Sequence, residues 1–150
     1  LQGGRRGDPV RRPDASESQE ELALMTQLTE LRDIIETVYQ VDLGKLQRIK
    51  AEEMDLREAL DDLDHQLRQS LDMSDGVASD WQAIGADRAW RAWVGRQRKE
   101  LNMQLARVLV RKADAEARLK TSFAKKQVSE ELVEQETQAL RIERMRRMQG

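Results

Sequence analysis

LDMSDGVASDWQAIGADRAWRAW, residues 71–93, separates two long stretches of helically spaced apolar residues. Its core, SDGVAS at 74–79, offers Ser, Asp and Gly in succession, the chemistry of a helix stop, a tight connection and a fresh N-cap. Ser79 and Gln82 have the spacing of a capping box for a second helix. The stretch therefore predicts that the chain turns back on itself. The expected fold is all-α, a long antiparallel two-helix coiled-coil hairpin with a helix over 16–73, a turn over 74–79 and a helix over 80–149.

On the first side of the turn, Leu28, Leu31, Ile35, Val38, Leu46, Ile49, Leu56, Leu60, Leu63, Leu67 and Leu71 recur mostly at steps of three and four, the mark of a coiled-coil seam. The longer step from Val38 to Leu46 reads as a stutter through Asp42. Gly44 falls in the same place, either as a soft point in the helix or as a tolerated surface glycine. On the second side the stripe is Trp90, Val94, Leu101, Leu105, Val108, Ala115 and Leu119, with polar intruders at Gln97 and Lys112. Beyond Phe123 the apolar residues Val128, Leu132, Val133, Leu140, Ile142, Met145 and Met148 spread over more than one face, which predicts a less tightly paired end.

A fold about residue 77 sets the acidic run AEEMDLREALDDLD, 51–64, beside the basic run RAWRAWVGRQRK, 88–99. Each exposed pair contributes only a few tenths of a kcal/mol, so the blocks act mainly on the choice of register. The three tryptophans then fall near the closed end. Trp81 is expected opposite Leu71 and Met73, Trp90 opposite Leu63 or Leu67, and Trp93 opposite Leu60, where they fasten the turn. Exposed rings serving a partner are the alternative.

Composition agrees with a narrow core: 36% of residues are charged, 39% apolar and 3% aromatic. Long helices burying one stripe suit such a chain better than a wide globular core. The 26 basic and 28 acidic side chains nearly cancel, which argues against a general attraction to nucleic acid or an anionic membrane. No apolar run is long enough for a membrane span, so a cytoplasmic protein with no membrane insertion is expected. The opening LQGGRRGDPVRRPDA, 1–15, holds both prolines and reads as a disordered leader; because Leu1 is not Met, Met25 is a candidate native start and the leader a candidate non-native extension. Capping boxes at Ser16 with Gln19 or Ser18 with Glu21 offer an earlier helix start.

Catalytic chemistry finds little support. There is no cysteine, and the lone His65 sits in an acidic helical run, which is too little for a common zinc site. The carboxylates lie on open helical faces, where nothing drives their pKa values apart. No catalytic residue, metal or cofactor is expected. The C-terminal LRIERMRRMQG is more suggestive: Ile142, Met145 and Met148 form a narrow apolar strip among Arg141, Arg144, Arg146 and Arg147. The arginines suit the negative end of a helix dipole. The same pattern suits a helix that enters an acidic groove on a protein partner.

Two long helices, a tryptophan-bearing start of the second, and ARVLVRKADAEARLKTSFAKKQ at 106–127 leading into a basic C-terminal helix together resemble the flagellar type III export stalk family, the FliJ family. The resemblance extends over most of residues 25–150. It implies a rod contacting the export ATPase and coupling it to the export gate at the cytoplasmic face of the flagellar base, with the ends near Met25–Val38 and Val128–Met148 inside the ATPase ring. A coiled-coil adaptor or scaffold unrelated to export is the alternative, and a nucleic-acid-binding coiled coil a weaker one. The oligomeric state is expected to be a monomeric hairpin or a weak dimer.

Overall fold

The computed structural model describes Gly7 and residues 15–74 and 81–150, with backbone alone at Ser74 and residues 81–83. Two helices account for nearly all of it: α1 is Ala15–Ser74 and α2 is Trp81–Gln149. They pack against each other antiparallel as an all-α coiled-coil hairpin, and no strand occurs among the described residues. The expected leader, apart from Gly7 and Ala15, and residues 75–79 of the expected turn lie outside the described residues. Proline is absent after Pro13, and Leu, Ala, Glu, Gln, Lys and Arg dominate, all good helix formers. Thr26, Thr29, Thr37, Thr121 and Thr137 each donate their hydroxyl to the carbonyl four residues earlier, so these polar groups are satisfied within their own helix.

The chain divides into two compact units, one made of Leu1–Thr37 and Ala124–Gly150, the other of Val38–Phe123. In the Val38–Phe123 unit, Leu46, Leu63, Val94, Val108 and Ala115 are buried, each where a coiled-coil a or d position faces the other helix. Half-buried positions along the same seam are filled by Ile49, Leu56, Leu60 and Leu67 on α1 and by Leu101, Leu105 and Leu119 on α2. The seam also carries polar side chains. Ser122 donates its hydroxyl to the Asp42 carboxylate, and Lys112 Nζ lies 3.1 Å from Glu53 Oε2. In the other unit the seam is poorer: Met25, Leu28, Ile35 and Leu140 are half-buried, Val133 is buried, and Ser129, Lys126, Glu136 and Arg32 occupy neighbouring seam positions.

Two expectations change. Leu31 and Val38 are each 49% exposed, whereas Arg32, Ile35, Tyr39 and Asp42 are shielded. The α1 seam thus runs Leu28, Arg32, Ile35, Tyr39, Asp42, Leu46 in unbroken alternation of four and three, with no stutter. Gly44 lies in continuous helix with open space where a Cβ would stand, so it is a tolerated glycine and not a break.

The pairing register also differs. Asp64 meets Arg98, and Glu52 meets Arg111. A fold about residue 77 would have set Arg98 near Leu56, so α2 is displaced by about eight residues. A slip of about one heptad keeps apolar stripes in phase, and apolar spacing alone therefore does not distinguish the two registers. The acidic run still finds basic partners, but Arg111 and Lys112 provide two of them.

α1 begins at Ala15, one residue before the expected start at residue 16, and Glu21 reaches Arg147 at 3.9 Å.

Candidate interaction surface

The C-terminal turns of α2 place Ile142, Met145 and Met148 in solvent, at 50%, 64% and 88% exposure. Arg141, Arg144 and Arg146 are exposed as well and form no ion pair among the described residues. Arg147 differs from them. Its Nη2 is 2.8 Å from Glu143 Oε1 within α2 and 3.9 Å from Glu21 Oε1 on α1, so it helps to hold the two helices together. Beside it, Ser18, Glu21, Leu22, Leu140, Glu143, Arg144 and Arg147 line a shallow groove between α1 and α2. The arginines of the last turn also face the negative end of the helix dipole, an interaction that persists with or without a partner.

At the start of α2 the tryptophans divide. Trp90 is half-buried and its Nε1 donates to Ser70 Oγ at 3.3 Å. Its ring stacks on Trp93 with centroids 5.2 Å apart and planes 20° from parallel. Trp93 is 41% exposed, so it covers Trp90 from outside instead of filling the seam. Ser70 Oγ in turn donates to the Leu67 carbonyl at 2.7 Å, so the indole N–H is tied to the last turns of α1. The side chain of Trp81 lies outside the described residues.

Charge is organised mainly in the Val38–Phe123 unit. Arg111 holds Glu52 through two hydrogen bonds of 2.8 and 3.3 Å, and this drops the Glu52 carboxyl below its ordinary value of 4.5. Hydrogen bonding to Lys112, aided by Arg57, lowers Glu53 in the same sense. In return Glu52 raises Arg111, mainly through the hydrogen bond. These shifts come from ion pairs on an open surface, not from a dry pocket, so they mark structural pairing and not an acid/base device.

His65 is exposed, and its Nε2 lies 3.2 Å from Gln69 Nε2 along the same helix. Among the described residues no group of three or more His, Cys, Asp or Glu side chains is arranged to hold a metal, and no helix is long and apolar enough to cross a membrane. Compared with family models, with curated proteins and with solved structures, the chain matches none.

Proposed function

We propose that this chain is a non-enzymatic coiled-coil protein that works by docking its C-terminal turns onto a protein partner. The exposed strip of Ile142, Met145 and Met148 beside the exposed Arg141, Arg144 and Arg146 carries this reading. Methionine adapts its unbranched side chain to an irregular partner. Flanking arginines speed encounter and orient docking more than they add affinity. The resemblance to the export stalk family gives the reading its sharper form: a stalk at the cytoplasmic face of the flagellar base, contacting the export ATPase and linking it to the export gate. An adaptor unrelated to export would use the same surface on another partner.

A pull-down with the flagellar export ATPase tests both forms. Intact protein is expected to retain the ATPase, whereas a chain ending at Leu140 and an R144E/R146E variant are expected to lose most of it. Arg147 is left in place because it pairs with Glu21 and Glu143. Equal capture by all three proteins would overturn the C-terminal site. No capture by intact protein would overturn the export form.

A further inference from the structure

The two units differ in where their polar seam residues find partners. In the Val38–Phe123 unit these residues reach across to the other helix: Ser122 donates to Asp42, Arg98 meets Asp64, and Lys112 Nζ lies 3.1 Å from Glu53 Oε2. Parting the helices there would strip Ser122, Arg98 and Lys112 of the partners they have among the described residues. A polar group that has lost its partner in or beside a seam carries a penalty, so these contacts oppose opening.

In the unit formed by Leu1–Thr37 and Ala124–Gly150 the corresponding groups are satisfied within their own helices. Arg32 Nη2 lies 3.2 Å from Asp33 Oδ1, and Ser129 Oγ donates to the Lys126 carbonyl at 2.8 Å. Lys126 and Arg147 do cross, to Glu36 at 3.4 Å and to Glu21 at 3.9 Å. Each also has a carboxylate on its own helix, Glu130 at 3.9 Å for Lys126 and Glu143 at 2.8 Å for Arg147. Parting the helices therefore leaves all four groups with a partner. The apolar contribution that remains is small, since Val133 is buried and Met25, Leu28, Ile35 and Leu140 are only half-buried.

Rings mark the border. Tyr39 and Phe123, the chain's single tyrosine and single phenylalanine, pair across the helices with centroids 5.9 Å apart and planes at 47°, at the outer limit of the Val38–Phe123 unit. Such a pair adds to the apolar contact of the turns beside it. We infer that residues 15–37 and 124–149 open and close together as two arms while residues 39–73 and 90–123 stay paired, with the Tyr39–Phe123 contact as the stop. Local opening of this kind needs no unfolding of the rest. A helix freed from its neighbour loses the packing that supplied most of its stability, so opening exposes its amides. The inference does not rest on C-terminal docking.

Hydrogen–deuterium exchange of the full chain, read by mass spectrometry on peptic peptides, tests it. Peptides from 15–37 and 124–149 are expected to share one protection factor, at least about tenfold below that of peptides from 39–73 and 90–123, with a step at Tyr39 and at Phe123. An R32L/S129L variant, which makes two polar seam positions apolar, is expected to protect both arms about tenfold more and to leave 39–73 and 90–123 unchanged. A Y39A/F123A variant is expected to move the step inward, so that peptides around Leu46 and Ala115 join the fast class. Protection that rises smoothly inward from Ala15 and Gln149 without a step would mean end fraying and overturn the inference. So would one protection factor across both units, equal gains in both units of R32L/S129L, or a step that stays in place in Y39A/F123A.

Discussion

The Val38–Phe123 unit and the unit formed by Leu1–Thr37 and Ala124–Gly150 use one helical architecture for different ends. The first buries Leu46, Leu63, Val94, Val108 and Ala115 along its seam and carries ion pairs on its flanks, while Val41, Met54, Met103 and Val110 stand exposed. The second buries Val133 but leaves Leu24, Leu31, Ile34, Val128, Leu132 and Ile142 exposed, while Arg32, Lys126, Ser129 and Glu136 stand along its seam. Apolar content alone therefore does not indicate how self-sufficient a coiled-coil segment is. Its heptad phase does, because a shift from a and d to g and c turns core into exposed surface.

The largest effect that could break this comparison is all-or-none. The chain has no cysteine, so a pair introduced at Glu52 and Arg111 reports pairing without background. A short bis-maleimide is expected to join that pair within one chain and to leave a pair at Glu58 and Arg96 unjoined, as read on a denaturing gel. The opposite outcome would restore the register centred on residue 77.

Core truncation comes next. Leu63→Ala is expected to cost about 2–4 kcal/mol in urea denaturation, and Val133→Ala in the thinner seam about 1 kcal/mol. Equal costs would remove the distinction between the two seams. Trp90→Ala is expected to cost about 2 kcal/mol, less than a fully buried indole. Trp93→Ala should cost about 0.5–1 kcal/mol, mostly lost stacking.

Gly44→Ala is expected to stabilise by up to about 1 kcal/mol, because Gly44 lies within a continuous helix and open space surrounds its missing Cβ. Destabilisation there would indicate a break in α1 after all.

The smallest effect is in pH. Glu52 and Glu53 have folded pKa values below 4.5, so their contribution is present above that value and is lost as pH falls through the lowered folded values. The denaturation midpoint is expected to drop in that acid range, and less so in an E52Q/E53Q variant. An identical drop in both proteins would show that these pairs carry none of the acid sensitivity.

Much of the fold was legible. Ser74 and Gly76 between two apolar stripes announced the hairpin, and the helix limits follow from uninterrupted helix formers on either side. The α1 phase was not, because Leu31 and Val38 stand in positions that look like seam while Arg32 and Asp42 occupy the seam itself. Two apolar stripes on one helix were merged into one, and their mismatch took the form of a stutter. The exposed Ile142, Met145 and Met148 could be anticipated from their mixture with arginine. The exposure of the g row was missed because it depends on the α1 phase, and the signal that could have revealed it is the step of seven from Leu24 to Leu31 to Val38.

The Lys112–Glu53 contact has a consequence for motion. Sliding α2 along α1 by one heptad in the Val38–Phe123 unit would carry Lys112 from Glu53 to Leu46 or Leu60, and Ser122 away from Asp42. An ammonium group would then face leucine, and Glu53 would keep only Arg57 of its own helix, a cost that smooth apolar stripes alone would not impose. These two polar contacts act as catches that oppose axial creep, so a pull on one helix is passed to the other as force instead of being dissipated as slip.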